Sequence, residues 1–296
     1  HDNQTLAYGL IKLRDMGVPV VGTIHHPITM DKRIDIKHAE TLSLKLLKWR
    51  WYSFLKMQIK VARKLDPIIV VSENTRKDVV KDFKIDPKKT RKVLHGIDHK
   101  TFEPIPSIKR KKNQLITTAS ADVPLKGLIY LIRAYSELLN EFPDLSLVVI
   151  GKLRDGPTSN ELDKKDIKNK VKFISDLTSR EIAELYAEST IAISPSVYEG
   201  FGFPAGEAMS CGIPLISTNG GSLPEVVGDS GIIVPHSNPN ELRKAIKELL
   251  LSPEKRKELG EKGRKRVLEK FTWKRAAKEL VEVYREAISN ADNRSR

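Results

Sequence analysis

Short apolar runs alternate with amphipathic stretches along most of the chain. The runs predict strands at residues 18–24, 67–71, 91–94, 115–118, 145–150, 171–174, 190–193, 214–217 and 231–234. Helical patterns fill most of the segments between them. Short apolar strands that alternate with helices form parallel sheets whose two faces are covered by helices. The pattern therefore predicts an α/β protein built on parallel sheets.

Several of the expected helices have clear signals. A helix is predicted at 5–16, and another opens at Ser72, a residue type favoured at helix N-caps. A long amphipathic and basic helix is predicted at 36–63. Two or three charged helices are predicted at 253–288, with a break at Trp273.

The length of 296 residues suggests two domains. Pro104, Pro106 and the basic run 109–112 are typical of a linker, so the boundary is expected near residue 105. The C-terminal helix is expected to pack back toward the first domain. The predicted division is 1–105, 106–272 and this helix, 273–296.

The net charge of +14 is concentrated in one segment. Residues 32–64 contain ten Lys or Arg and only two Asp or Glu. The aromatic residues Trp49, Trp51 and Tyr52 share this predicted helix, a composition that suits an anionic membrane surface. The alternative is a helix packed on the sheet with a solvated basic face. Nucleic acid is a weaker interpretation, because the aromatic residues are not spaced on a sheet platform.

Two further features concern the compartment. Cys211 is the single cysteine, which excludes an internal disulfide framework and favours a reducing compartment. No apolar run is long enough to span a bilayer. We therefore expect a cytoplasmic protein, with peripheral contact at the inner face of the membrane through the basic helix.

The most informative stretch is 194–212, SPSVYEGFGFPAGEAMSCG. It reads as a strand end, a glycine loop and a helix that begins near Pro204, because Pro is favoured in the first turn. Such a junction suits a phosphate. Glu199 and Glu207 flank the loop, and carboxylates suit vicinal diols. Together these features predict a nucleotide-sugar site. The alternative is a tight turn with packing glycines and solvated glutamates.

The chain resembles the retaining glycosyltransferases of family 4, which have the GT-B fold. The most specific match is the E-x7-E signature, EGFGFPAGE, from Glu199 to Glu207. Supporting matches are Val71-Ser72, His95-Gly96-Ile97-Asp98 with Phe102, Lys126-Gly127, and Gly220-Gly221 with Pro224-Glu225. The resemblance implies two Rossmann-like domains facing a cleft. The chain begins without Met, and the family's opening strand and glycine-rich loop are missing, so we expect an incomplete N-terminal domain.

The resemblance also implies roles for individual residues. Glu207 would hold the donor ribose, Glu199 the donor sugar, and Lys126 the diphosphate. His25 would face the sugar from the N-terminal domain. The predicted catalytic residues are His25, Glu199 and Lys126. The remaining residues assigned to donor binding are Gly200, Phe201, Gly202, Phe203, Ser120, Phe173, Leu177, Gly220 and Gly221.

Two residues depart from the family pattern. Ser120 stands where the family usually has Arg, so one phosphate charge is either missing or supplied elsewhere, with Lys152 and Arg154 as the candidates. His95 replaces the usual Asn. No cofactor is expected, because the nucleotide-sugar is a co-substrate. No metal is expected either, since the chain lacks an Asp-x-Asp motif.

The sequence thus predicts a metal-independent hexosyl- or related glycosyltransferase. It would move a sugar from a nucleotide-diphosphate sugar to a lipid-linked acceptor or another glycan. Two alternatives stay open: a GT-B phosphorylase, and a GT-B module that binds nucleotide without transfer. No nucleic acid partner is expected.

Overall fold

The structure is a computed structural model that describes residues 1–119 and 123–295. The chain folds into two compact units. The first contains His1–Gly96 and the C-terminal helix, and the second contains Ile97–Thr272. The division falls after Gly96, earlier in the chain than residue 105.

The first unit is built on a parallel sheet with the strand order β1-β2-β3-β4. Its strands are β1 (Asp2–Asn3), β2 (Gly22–Ile24), β3 (Ile68–Val70) and β4 (Thr90–Lys92). Its helices are α1 (Gly9–Asp15), α2 (Ile28–Lys37), α3 (Leu42–Trp51), α4 (Leu55–Ala62) and α5 (Glu73–Phe83), with the C-terminal helix at Trp273–Ser295. Ser72 caps α5 as predicted, because its side chain accepts a hydrogen bond from Thr75 N.

Alternate residues of β3 point to opposite faces of this sheet and fill two cores. Ile68 and Val70 pack in a cluster with Phe83 of α5. Ile69 packs in a second cluster with Val283 of the C-terminal helix. The continuous apolar run of this strand is thereby explained, since both faces of β3 are covered.

The second unit is a six-stranded parallel sheet with the order β10-β9-β8-β5-β6-β7. The chain starts in the middle at β5, adds strands on one side, and then returns to add β8 on the other side. Ligands of such sheets bind at the carboxyl ends of the strands where the order reverses, here β5 and β8. The strands are β5 (Gln114–Thr118), β6 (Ser146–Ile150), β7 (Val171–Ile174), β8 (Ile191–Ser194), β9 (Leu215–Thr218) and β10 (Ile232–Val234).

Helices cover both faces of this second sheet. They are α6 (Leu128–Leu138), α7 (Pro157–Lys164), α8 (Ser179–Glu188), α9 (Phe203–Ser210), α10 (Leu223–Val227), α11 (Pro239–Leu251) and α12 (Pro253–Lys270). The C-terminal helix of the first unit is α13 (Trp273–Ser295). All nine strands predicted from the sequence are present in the described residues as β2 to β10.

The prediction of one long basic helix at 36–63 is wrong. The segment forms α2, α3 and α4, with a single 3-10 turn at Tyr52–Phe54 between the last two. The break between α2 and α3 has a local cause. Thr41 is extended and its hydroxyl accepts a hydrogen bond from Leu44 N, so α3 starts with its own cap.

We expect the core of the second unit to depend on buried leucines of α11. Leu249 is fully buried, whereas Leu251 on the same helix is 64% exposed. Leu249→Ala should lower the free energy of unfolding by about 2–5 kcal/mol, because it removes buried surface and leaves a cavity. Urea unfolding measures this, and Leu251→Ala is the matched control, expected within about 0.5 kcal/mol of the wild type. Equal effects of both variants would contradict this packing.

Candidate functional site

Two loops meet where the strand order of the second sheet reverses. Lys126 lies in the loop after β5, and Glu199 lies in the loop after β8. Lys126 Nζ is 2.7 Å from Glu199 Oε1, and the side chains are only 28% and 13% exposed. The structure therefore brings together two of the residues predicted as catalytic. Ser120, assigned to donor binding, lies outside the described residues.

Glu199 is held in place by serines that the sequence analysis missed. Ser196 Oγ donates to Glu199 Oε1 at 2.7 Å. Ser222 donates to the Glu199 carbonyl oxygen from both its N–H, at 2.9 Å, and its hydroxyl, at 3.0 Å. Within the described residues, the other carboxylate oxygen of Glu199 has no partner. A serine three residues before an acid in a loop is a local signal, whereas the contact of Ser222 depends on the tertiary fold.

Two glycines allow the loops to approach each other closely. Gly127 has a φ of +63°, and a Cβ there would lie 2.2 Å from the carbonyl oxygen of Pro195. Gly221 has a φ of +61°, and its Cβ would lie 2.3 Å from the carbonyl oxygen of Glu199. Gly220 likewise packs on the backbone at Ser196. These glycines thus support the loop that carries Glu199, and a donor contact from Gly220 or Gly221 stays a prediction.

Helix α9 begins where the sequence analysis expected it. Gly202 precedes it with a φ of +98°, and Pro204 occupies the first turn. The N–H groups of a first helical turn and the positive end of the helix dipole favour an anion. Phe201 is buried and packs edge-on against Phe203, with ring centroids 5.2 Å apart. The side chain of Phe201 is therefore part of the core, while Gly200 lies half-buried in the loop.

Glu207 is a half-buried acid on α9. Burial raises the pKa of its carboxyl from 4.5 to about 7. Its side chain has no hydrogen-bond or ion-pair partner among residues 1–119 and 123–295. Nearby, the hydroxyl of the buried Tyr186 lies 3.2 Å from Thr118 Oγ1 and donates to the Pro204 carbonyl at 3.3 Å. Because buried polar groups normally have partners, the Glu207 carboxyl is suited to a ligand.

The segment expected to hold the nucleobase lies farther along the same sheet. Phe173 is in β7, two strands from β5, and Leu177 follows that strand. Both side chains are half-buried. Lys152 forms an exposed ion pair with Asp176, 3.0 Å apart, and Arg154 is also exposed.

The first unit holds a pair of histidines at the carboxyl ends of its strands. His25 follows β2, and its Nδ1 is 3.1 Å from Nε2 of His95, which follows β4. The rings are stacked, with centroids 5.1 Å apart. Burial, and then the charge of His25, lowers the pKa of His95 to about 4. Burial, and then the charge of His26, lowers the pKa of His25. Both rings are therefore neutral near pH 7.

Gln4 positions the backbone beside these histidines. Its Oε1 accepts hydrogen bonds from His25 N at 2.6 Å and from His26 N at 3.3 Å. His26 Nε2 lies 2.7 Å from Asp31 Oδ2, so its ring is engaged at the surface of the first unit. The sequence analysis did not assign Gln4 a role, since its contacts join residues more than twenty positions apart.

Metal ligands and membrane spans are both missing from the described part of the chain. No group of three or more His, Cys, Asp or Glu side chains there is arranged to hold a metal ion. Each described helix is too short or too polar to cross a bilayer.

Comparison with protein families gives matches over almost the whole chain. A family described as Glycosyl transferases group 1 matches residues 100–266, and one described as Glycosyltransferase Family 4 matches residues 1–101. The chain belongs to these glycosyltransferases. The predicted enzyme class is thereby confirmed.

Individual relatives agree with this assignment. The glycosyltransferase is 39% identical over 293 residues to the MMP alpha-(1->4)-mannosyltransferase of Mycolicibacterium hassiacum. This alignment covers 98% of this chain and 70% of that protein. It is 29% identical to a D-inositol 3-phosphate glycosyltransferase of Streptomyces bingchenggensis, over 75% of this chain and 53% of that protein. The chain thus spans between about half and seven tenths of the length of these two relatives.

Solved structures share the fold. Sucrose-phosphate synthase from Thermosynechococcus elongatus superposes with a TM-score of 0.76 and 22% identity, covering 92% of this chain and 69% of that one. HepE from Anabaena, in complex with UDP, gives a TM-score of 0.77 with 18% identity. The superposition covers 97% of this chain and 79% of the HepE chain. The predicted GT-B fold class, α/β with two parallel sheets, is confirmed.

The buried carboxyl of Glu207 predicts a pH-dependent stability. Between pH 4.5 and 7 the folded glycosyltransferase holds a proton that the unfolded chain has released, so its free energy of unfolding falls as pH rises through this window. Glu207→Gln should remove this fall. Urea unfolding should show the variant gaining up to about 3 kcal/mol relative to the wild type between pH 4.5 and 8.

The matched control is Glu254→Gln, which changes an exposed acid of α12. The difference between this control and the wild type should not vary with pH. A Glu207→Gln variant whose stability follows the wild type at each pH would contradict a buried, raised-pKa carboxyl.

Proposed function

We propose that this glycosyltransferase moves a sugar from a nucleoside-diphosphate sugar to a glycan or lipid-linked acceptor, with retention of the anomeric configuration. The observation that carries the proposal is the Lys126–Glu199 pair beside the start of α9, at the point where the strand order reverses. The two loops after β5 and β8 carry the Lys126 cation and the Glu199 carboxylate, and the second loop leads into the N-terminus of α9. This is the position at which open parallel sheets bind nucleotides.

The diphosphate is assigned to Lys126 and to the N-terminal turn of α9. Lys126 Nζ has three donors and uses one of them for Glu199. An ammonium group is a compact charge that suits phosphate. We propose that Lys126 and the helix end together stabilise the negative charge that develops on the departing diphosphate. No divalent metal is needed in this scheme, and activity in the presence of a chelator would agree with it.

The ribose is assigned to Glu207. Its buried carboxyl lacks a partner in the described chain, and it lies about one turn into α9. An ionised carboxylate accepts hydrogen bonds from both hydroxyls of a vicinal diol. Ribose binding would therefore favour the ionised form of Glu207, whose pKa burial raises to about 7. The nucleobase is assigned to the backbone between Phe173 and Leu177, as the resemblance implies.

Transfer with retention is proposed to follow a front-face path. One oxygen of Glu199 accepts from both Lys126 and Ser196, which makes this carboxylate a weak nucleophile toward the sugar. In the front-face path, the bond from the anomeric carbon to the diphosphate breaks. The acceptor oxygen then bonds to the same face, and its proton passes to the departing phosphate. Glu199 and His25 would hold hydroxyls of the sugar, a role that for His25 rests on the resemblance alone.

The relative with 39% identity suggests which donor sugar to test first. That protein is named a mannosyltransferase, so a mannosyl group is the first donor sugar to test. The cytoplasmic location and the lipid-linked acceptor stay predictions.

We also propose that α3 contacts an anionic membrane surface. None of its ten residues is buried, although they include four leucines and two tryptophans. Its charged residues are Lys45, Lys48 and Arg50, without an acid. Exposed apolar side chains beside basic ones complement the interface of an anionic bilayer. Packing of α3 against another protein would account for its apolar side chains. It would not account for the fact that all charged residues of α3 are basic.

Calorimetry with nucleoside diphosphates and with the corresponding nucleosides tests the donor site, using UDP, GDP and ADP in turn. Lys126→Gln should weaken binding of the preferred nucleoside diphosphate about tenfold or more and leave the nucleoside nearly unchanged, because a charge-assisted phosphate contact is lost. Glu207→Ala should weaken the binding of both the nucleoside and the nucleoside diphosphate, because both contain the ribose.

The matched control is Lys244→Gln, which removes the same charge from an exposed lysine of α11 paired with Glu241. Equal losses for nucleoside and nucleoside diphosphate in Lys126→Gln would count against its phosphate role. Failure of all three diphosphates to bind the wild type would overturn the donor proposal. Release of product only with inorganic phosphate would indicate the phosphorylase alternative.

Sedimentation with lipid vesicles tests the membrane proposal. Leu46→Ser should weaken binding to vesicles containing anionic lipid about thirtyfold, because a leucine buried in the interface contributes roughly 2 kcal/mol. Leu46 is 61% exposed on α3, and Leu251, 64% exposed on α11, provides the control Leu251→Ser. Equal binding to neutral vesicles, or a concentration-dependent dimer broken by Leu46→Ser, would overturn the proposal.

A further inference from the structure

A groove of about 860 Å³ lies within the second unit, between α12 and the segment that leads into β5. One wall is a face of α12 whose lining residues recur three or four positions apart, as on one side of a helix. Pro104, Arg110 and Gly212 form the rest of the lining. The donor-site residues do not take part in it.

Three arginines line this groove, and their hydrogen bonds go to uncharged oxygens. Arg110 Nη2 donates to the Gly212 carbonyl at 2.9 Å. Arg256 Nη1 donates to the Leu250 carbonyl at 2.8 Å. Arg264 Nη1 donates to carbonyl and hydroxyl oxygens, including the Ser210 carbonyl at 2.9 Å. Among the described residues none of the three forms an ion pair with a carboxylate.

Arg110 differs from its neighbours in the basic run 109–112. Lys111 forms an ion pair with Glu188. Arg110 is an exposed residue that lines the groove, where partial burial of its guanidinium, and then the charge of Arg256, lowers its pKa. A guanidinium carries five N–H donors, and a single nitrogen of Arg110 is engaged. Two like charges thus lie close together with donors to spare.

The acidic residues of the groove do not neutralise this pair. Glu261 and Glu269 lie 4.0 Å and 3.9 Å from Lys257 and Lys265 on the exposed rim. Burial lowers the pKa of Arg264, and the negative charge of Glu103 opposes this shift only in part. The region around Arg110 and Arg256 therefore has an excess of positive charge inside a concave surface.

We propose that this groove binds a phosphate ester, with the phosphate at Arg110 and Arg256 and the rest of the ligand against Pro104, Pro253 and Leu268. A phosphate monoester carries close to two negative charges near neutral pH, which matches two guanidinium groups. Planar guanidinium forks suit phosphate oxygens in pairs. The ligand can be a soluble sugar phosphate or the phosphate head of a lipid.

The groove is separate from the donor site on the same helix. Gly212 follows the C-terminal end of α9, whereas Gly202 precedes its N-terminal end. Eight helical residues span about 12 Å. A phosphate bound at Arg110 is thus about one helix length from the loop that is assigned to the donor diphosphate.

Calorimetry with two probes, glucose 6-phosphate and octyl phosphate, tests the proposal. One or both should bind the wild-type chain in a one-to-one complex. Arg110→Gln should weaken binding about tenfold, because a charge-assisted bidentate contact is lost. Lys109→Gln removes the same charge from the adjacent exposed position and should change the dissociation constant less than about twofold.

Further variants separate this site from the donor site and from effects on folding. Lys126→Gln should leave probe binding unchanged; a loss there would mean that the phosphate sits in the donor loops and would overturn the proposal. The affinity of Arg110→Lys for the probes should lie between those of the wild type and Arg110→Gln. Thermal unfolding should show that all four variants are folded. Equal weakening by Lys109→Gln, or no binding of either probe at millimolar concentration, would also overturn it. Tighter binding of glucose 6-phosphate indicates a soluble ligand, and tighter binding of octyl phosphate indicates a lipid phosphate.

Discussion

The contact between the loops after β5 and β8 is the constraint on which the candidate site depends. The order of the parallel strands brings these loops together, but their backbones approach closely only because Gly127 lacks a side chain opposite Pro195. At this distance Lys126 and Glu199 form a mostly buried ion pair. Removing two charges from water is costly, and the hydrogen bond from Ser196 to the same carboxylate offsets part of that cost. The pair fixes the Lys126 ammonium group at the loop that leads into α9.

The sequence predicted the parts of this arrangement that are local. Apolar runs located nine strands, and a proline after a glycine loop located the start of α9. The same method failed at 36–63, because a helical pattern of apolar residues continues across a break that depends on the cap at Thr41. The serine at 222 could not be predicted as a support of Glu199, since only the tertiary fold brings it there. Local periodicity thus determines elements, whereas tertiary contacts between loops determine which polar groups meet.

Burial acts on acids and bases in opposite directions, and the two units use both effects. It raises the pKa of Glu207 to about 7 and lowers that of His95 to about 4. Near neutral pH the histidine pair is uncharged, and Glu207 is divided between two protonation states. The positive charge of the candidate donor site comes from Lys126 and the N-terminal end of α9. In the proposed donor complex, a diol that donates to Glu207 would favour the ionised form, so donor binding would release a proton.

The net charge of +14 gains meaning only when the partners of each basic residue are known. Lys126 faces a carboxylate and a helix start, Arg110 faces a carbonyl inside a groove, and α3 carries its lysines among exposed leucines. These three environments favour different anions: a diphosphate between protein dipoles, a phosphate ester in a concave surface, and a lipid headgroup layer above an apolar face. Amino-acid composition cannot distinguish these three environments, because each of them contains lysine or arginine. The surroundings of each cation, which the fold creates, determine which negatively charged ligand can displace water from it.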